Sequence, residues 1–272
     1  TSTTVNGGTV NFEPASSVAE VGQTIDISRG TANFNSGDAL NVNAYTQSSG
    51  TLGGPGDITV NGSTVWSGGT MGGSGTFTAG DGLTIQGNAG KVLNARTLVN
   101  TGTGVWTGGH LFVGQNAVLR NTGTLDVQTD SDVFSNGGSG TLDNQGTFRK
   151  SAGTAETQVA RTFLNTGTLD VQTGTLNLNG GGSGSGVYQG EGMLRFGGGT
   201  HDWGAASRVT AAAVQFSGGT VNFHGTYDLA GATTSTTVNG GTVNFEPASS
   251  VAEVGQTIDI SRGTANFNSG DA

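Results

Sequence analysis

The residues in this chain that could do chemistry are mostly carboxylates. Asp126, Asp130, Asp132 and Asp143 lie close together in sequence, with Arg120, Arg149 and Lys150 nearby. Clustered carboxylates beside a basic group are what cleavage of a polysaccharide requires, one group acting as acid and another as base around the scissile bond. A second chemistry is calcium binding. The segment "GGPGDITV" at 53–60 is close to one nonapeptide unit of the calcium-binding GGxGxDx type, with Asp57 one place early and no second copy in succession. Asp130 and Asp132 form another acidic pair, without the spacing of an EF-hand loop. Asp57, Asp130 and Asp132 are therefore the calcium candidates, each set against a plain reading as turn or solvated loop. His110, His201 and His224 are too scattered for a metal motif, and the chain has no Cys, which excludes thiolate sites and disulfides but does not fix a compartment.

Aromatic side chains facing outward would offer stacking surfaces to sugars. Trp66 and Trp106 sit in matching settings, "STVWSGG" and "TGVWTGG", each directly after a Val. One residue of each Val-Trp pair must face out, which makes the two Trp glycan-contact candidates or, if they point inward, core.

Whether these residues meet depends on the elements that carry them. Short apolar-polar-apolar triplets recur along the chain, among them Ile25-Asp26-Ile27, Leu40-Asn41-Val42, Leu83-Thr84-Ile85, Leu169-Asp170-Val171 and Val221-Asn222-Phe223. This is strand alternation, with the outer two side chains on one face. Between the triplets lie N-G, G-G, S-G and D-G pairs, which tolerate the positive φ of a sharp bend. No window carries a helical stripe of apolar residues. The dipeptide Gly-Thr recurs at Gly8, Gly30, Gly50 and Gly69, then at Gly102, Gly123, Gly146 and Gly167, then at Gly199, Gly219 and Gly241. The spacing is about 21 residues except for two longer gaps, which read as insertions or a displaced turn.

A 21-residue unit of two or three short strands cannot bury its apolar face alone, but can do so by stacking on its neighbours. The spacing therefore predicts an all-β fold, a parallel β-solenoid or β-helix with roughly 21 residues per coil. Leu, Val, Ile and Phe should stack inward while Asn, Asp, Thr and Gln point out. The absence of a hexapeptide period favours a right-handed coil. Asn100, Asn121 and Asn165 recur in "NTG" and would either form a ladder from coil to coil or simply serve as turn residues. One coil apart means adjacent in space, so Asp126, Arg149 and Asp170 are expected to be neighbours. Asp126 and Asp170, however, occupy the same place in the repeated motif "NTGTLDVQT", and a repeated surface charge usually serves solubility. No catalytic residue is assigned on this evidence.

Residues 1–39 recur letter for letter as 234–272, so the chain repeats itself after 233 residues. The sequence reads as one solenoid window, 1–272, with one full long repeat at 1–233 and the start of the next at 234–272. At about 21 residues per coil a long repeat makes about 11 coils and, with strands ~4.8 Å apart, advances ~50 Å. The repeated ends, with no capping coil, suggest either a polypeptide that continues on both sides or copies that stack end to end. Asn6-Gly7-Gly8 reads as a coil corner and Pro14 as the next bend.

Composition narrows the partners. The formal net charge is −9, with 10 basic residues scattered and no basic stripe to neutralise phosphates, so nucleic acid is not expected. No apolar run reaches the ~20 residues of a membrane span. Gly numbers 52 and Pro 3, without the period of collagen.

The phrases "FLNTGTLDVQTGTLNLNGGGSGSG", "LRFGGGTHDWGAA" and "VQFSGGTVNFHGTYDLAGATT" resemble the long, repetitive, β-helical surface proteins of bacteria, similar in style to filamentous-haemagglutinin-like and autotransporter-adhesin repeat arrays. The resemblance covers nearly the whole chain and brings no catalytic residues with it. It implies an extracellular or cell-surface structural protein, a filament, sheath or adhesin stalk, whose partners are adjacent repeats or copies of itself. The alternatives are an adhesin module with specific side-face sites for cell-surface glycans and, more remotely, a polysaccharide-degrading β-helix enzyme.

Overall fold

The computed structural model describes residues 1–13, 23–37, 39–231 and 233–270; Pro14 lies outside the described residues. They contain strands and turns and no helix. The chain divides into two compact units, one of Thr1–Asp126 with Ser131–Leu142, the other of Val127–Asp130 with Asp143–Ala272. Each unit is a parallel β-solenoid.

In the first unit a coil consists of three short strands, one in each of three sheets. Ser63–Trp66, Gly69–Met71 and Thr76–Ala79 make one coil; Gly82–Ile85, Lys91–Asn94 and Thr97–Asn100 make the next. Every strand pairs in parallel with its counterpart one coil away. Ser2 lies opposite Thr24, Thr24 opposite Ala44, Tyr45 opposite Thr64 and Gly82 opposite Thr103, offsets of 22, 20, 19 and 21 residues. A strand of three or four residues has no stability of its own, so each is held by the two neighbours that share its ladder and by the apolar column behind it.

Those columns follow the alternation in the sequence. In the third sheet Leu40, Ile58, Phe77, Leu98 and Leu119 succeed one another in register and all are buried. In the first sheet Trp66, Ile85 and Trp106 form a second column, Ile85 lying in register between the two indoles.

The second unit is built alike, with longer strands that bend through corners. Arg208–Phe223 runs through all three sheets, pairing in turn with both halves of Val187–Phe196 and with Thr200–Trp203. Its core is aromatic: Trp203 packs between Tyr188, stacked at 4.1 Å, and Phe196 and Phe223, edge-on at 4.7 and 5.4 Å.

The Gly-Thr corners show why the period slips twice. Gly8, Gly30, Gly50 and Gly69 stack in one corner, all at positive φ. A Cβ on Gly50 would come within 2.5 Å of the Gly30 carbonyl oxygen, and one on Gly30 within 2.5 Å of that of Gly8, so only glycine fits this close stack. Gly69 leads from the first sheet into the second, between Ser63–Trp66 and Gly69–Met71. Gly102 instead leads from the third sheet into the first, between Thr97–Asn100 and Thr103–Trp106. The long gap is thus the displaced turn and not an insertion: the dipeptide has moved to a different corner of the coil, where its glycines are not at positive φ but still stack closely, a Cβ on Gly123 coming within 2.2 Å of the Gly102 carbonyl oxygen. The same happens in the second unit, where Gly167 precedes Thr168–Val171 while Gly199 leads from Val187–Phe196 into Thr200–Trp203.

The two copies of the repeated 39-residue stretch differ in packing. Ile25, Ile27 and Phe34 are at most 2% exposed, covered on one side by Ser2–Phe12 and on the other by Ala44–Gln47 and Thr51–Gly53. Their counterparts Ile258, Ile260 and Phe267 are 42%, 48% and 47% exposed. Among the described residues, Thr257–Ile260 and Thr264–Phe267 pair only with Ser235–Phe245, on one edge.

Candidate functional site

The carboxylates of the sequence-predicted cluster are each engaged. Asp130 accepts a hydrogen bond from Lys150 Nζ at 2.7 Å. That lysine is fully buried and donates also to the Thr129 and Ala152 carbonyls, at 3.0 and 3.1 Å, and approaches Thr157 Oγ1 at 3.2 Å. Asp143 and Asp170 each accept from the glutamine two residues on, Gln145 and Gln172, at 2.9 Å. Arg149 lies opposite Asp170 in the ladder, so that pair is brought together as expected. Asp126, expected on the solvent face, is only 7% exposed, because its strand Thr124–Val127 is buried at three successive positions.

The calcium candidates have protein partners too. Asp57 Oδ1 accepts the Thr76 amide at 2.6 Å, one coil on. Asp132 donates its backbone N–H to His110 Nδ1 at 3.0 Å, which leaves Nε2 as the ring's protonated nitrogen. Among the described residues no three His, Asp or Glu side chains gather into a metal-binding group. His201 is buried against Phe196, with Nε2 3.1 Å from the Gly198 carbonyl, and burial lowers its pKa. Trp66 and Trp106 are 1% and 0% exposed and offer no ring face to solvent. The outward member of each pair is Val65 or Val105, since the Trp ends its strand at an inward position.

Polar side chains absent from any sequence-based site fill the interior corners. Arg96 is fully buried and donates to the carbonyls of Gly72, Gly56 and Gly54 at 2.6, 3.2 and 2.7 Å. Lys91, also buried, donates to those of Gly108 and Gly87 at 2.7 and 3.0 Å, and desolvation lowers its pKa to about 8. The glycine-rich corners turn carbonyls inward, where an unpaired acceptor is costly, and the cations answer them.

The "NTG" asparagines are interior as well, which corrects the expectation that Asn points out. Asn100 Nδ2 contacts the Gly102 carbonyl at 3.2 Å, as a turn residue does, and Asn121 Oδ1 one coil on at 2.8 Å, as a ladder does. Asn144 repeats this with Gly146 and Asn165, at 3.3 and 2.7 Å. Ladder and turn chemistry are the same interaction here. Outward ladders exist separately, Asn222–Asn244–Asn266 in the second unit and Asn11–Asn33 in the first.

One outward feature went unnoticed in the sequence. Phe112 and Phe134 are the middle residues of Leu111–Gly114 and Val133–Ser135; they lie opposite each other in the ladder and are half-buried, facing away from the core. Their centroids are 5.7 Å apart. The same alternation that left Trp66 undecided places these two Phe outside, because apolar neighbours flank each on the inward side or sides.

The chain is, by fold, a β-solenoid repeat protein. No family model, curated protein or solved structure matches it.

Proposed function

We propose that the chain is a structural module of a tandem β-solenoid array on the outside of a bacterial cell, a filament, sheath or adhesin stalk without chemistry of its own. The observation that carries this reading is the stacking of near-equal coils, in which the apolar face of a repeated sequence is buried by the coils on either side of it. Ile25, Ile27 and Phe34 are buried by a following coil; Ile258, Ile260 and Phe267 present the same apolar surface bare. Adjacent apolar side chains on a strand with one unpaired edge are a template for a further strand. The coil that fits is the one that fits the first copy, with the pattern of Leu40–Val42, Ala44–Gln47 and Thr51–Gly53. An adjacent repeat, or a second copy end to end, supplies it.

A non-enzymatic role is supported by the engagement of Asp57, Asp130, Asp143 and Asp170 with neighbouring side chains or amides. The extracellular setting rests on the resemblance to bacterial surface arrays. The test is to append a second copy of residues 40–100 after Ala272 and follow amide hydrogen exchange. Protection at Ile258 and Ile260 should rise to the level of Ile25 and Ile27. Unchanged protection, with the appended segment unstructured, would overturn the proposal.

A further inference from the structure

We propose that the outward pair Phe112 and Phe134 is a stacking platform for a pyranose ring of a neutral glycan. The chain has 18 Phe, Tyr and Trp residues, and the inward positions of the coils take nearly all of them. Among the described residues outside the first and last coils, where Phe12 and Phe267 lie, Phe112 and Phe134 alone of these aromatics escape burial. Both stand on one outward column of the first unit's second sheet, in register with Val92. The preceding member of that column is Thr70, so the surface changes from hydroxyl to aromatic within two coils.

The platform has a defined shape. The two phenyl planes are tilted by 40° with centroids 5.7 Å apart, and the His110 ring extends the surface, 5.1 Å from Phe134. A Cβ on Gly90 would meet Phe112 Cε2 at 2.8 Å, so the Phe112 ring lies down over the backbone where a side chain is missing. At the edge stand His110, its side chain 47% exposed, and the Asp132 carboxylate. With Nδ1 occupied by the Asp132 amide, His110 offers Nε2–H as a donor, while the carboxylate offers acceptors.

This combination selects a sugar. A pyranose has an apolar C–H face that packs on an aromatic ring and hydroxyls around its rim that need both donors and acceptors. Area argues against a protein partner. A phenyl side chain carries ~150–250 Å² in all, so two half-buried rings present under about 200 Å², far short of the roughly 800 Å² per partner of a stable protein interface. The carboxylate and the net charge of −9 disfavour acidic sugars, which leaves neutral hexoses and N-acetylhexosamines. This reading concerns a side face and does not depend on how coils dock at their ends.

The test presents the 272-residue chain to an array of neutral gluco-, galacto-, manno- and N-acetylhexosamine oligosaccharides and measures Kd for the best binder by titration. Three variants follow, Phe112→Ser with Phe134→Ser, Phe112→Trp, and Gly90→Ala, which lifts the Phe112 ring without removing it. All three alter outward groups and should leave the circular dichroism spectrum unchanged. The double variant should weaken binding at least tenfold and Gly90→Ala should weaken it measurably, while Phe112→Trp retains or improves it. Absence of binding across the array, or equal Kd for the double variant, overturns the proposal. So does concentration-dependent self-association that the double variant abolishes, which would make the platform a protein contact instead.

Discussion

The identical stretches allow one substitution to be made twice in the same local sequence, at Ile25 and at Ile258. Ile25 is fully buried, with Thr3 opposite it on one side and Tyr45 on the other. Replacing it with Ala removes three carbons from water-free packing, about 2.4 kcal/mol at ~0.8 kcal/mol per methylene. The cavity left between two coils raises the total into the range of about 2–5 kcal/mol seen for such truncations. Ile258 is 42% exposed and covered on one side only, opposite Thr236. A little over half of the transfer term is then at stake, about 1.4 kcal/mol, and no cavity forms because water fills the space.

The assay is urea unfolding followed by far-UV circular dichroism, with stabilities compared at equal m-value. Ile25→Ala should cost at least about 1 kcal/mol more than Ile258→Ala. Phe34→Ala and Phe267→Ala should show the same order, since Phe34 is 2% exposed and Phe267 47%. Equal costs within either pair would mean that local sequence, not the covering coil, sets the stability of a strand, and the stacking argument would fail.

Two further outcomes follow from the interior polar groups. Lys91 has a folded pKa near 8 because burial disfavours its charge, against 10.5 when unfolded; between those values the unfolded chain holds the proton and the folded one does not. Stability should therefore rise with pH from about 8 towards 10, by no more than about 3 kcal/mol. It should fall above 10 as unfolded tyrosines ionise while buried Tyr45, Tyr188 and Tyr227, whose pKa burial raises, stay neutral. Lys91→Met should abolish the rise in a pH series of urea midpoints. Asn121→Ala takes the acceptor from Asn100 Nδ2 inside the core and should cost about 1–3 kcal/mol. Asn33→Ala, on the outward ladder with Asn11, should cost under about 0.5 kcal/mol by the same measurement.

The alternation of short triplets was enough to read which residues of most strands meet the core, and it held for Ile25, Ile27, Leu83, Ile85, Val221 and Phe223, all buried, but not for the middle residues Asp126 and Asn177, 7% and 6% exposed. It left Trp66 and Trp106 open because Val and Trp are both apolar and period 2 cannot choose between them. Register decides: each indole lies opposite Ile85 on the inward side. The drift of the Gly-Thr signature was only half legible, for a different reason. A corner demands positive φ or close approach, not a particular position in the coil, so one dipeptide serves more than one corner, and spacing alone leaves an insertion and a displaced turn both open. Phe112 and Phe134 were legible by the rule already in use, as middle residues of strands whose apolar neighbours point inward. The buried cations were not, because the residues that need them are glycines up to about 40 positions away in sequence, as with Arg96 and Gly54.

Among the described residues, most buried polar groups stand at a strand end or directly before a strand, though Thr64, Asp126, Thr157, Asn177, His201 and Thr236 lie within one. Gln47, Trp106, Lys150 and Asn100 each close a strand, while Lys91 opens one and Arg96 immediately precedes another. Gln47 Nε2 donates to the Gly50 and Thr70 carbonyls, and Trp106 Nε1 to those of Gly109 and Gly108. Sharp corners turn carbonyls away from water, and at these corners a nearby side chain supplies the donor. Amide, indole, ammonium and guanidinium all serve, because the requirement is a donor at the right place and not a particular residue. Specificity of the fold thus resides in the corners and the inward columns. The outward middle positions carry neither duty, which is why Thr70, Val92, Phe112 and Phe134 can follow one another on one face, and why a ligand-binding surface would arise there without disturbing the coil beneath.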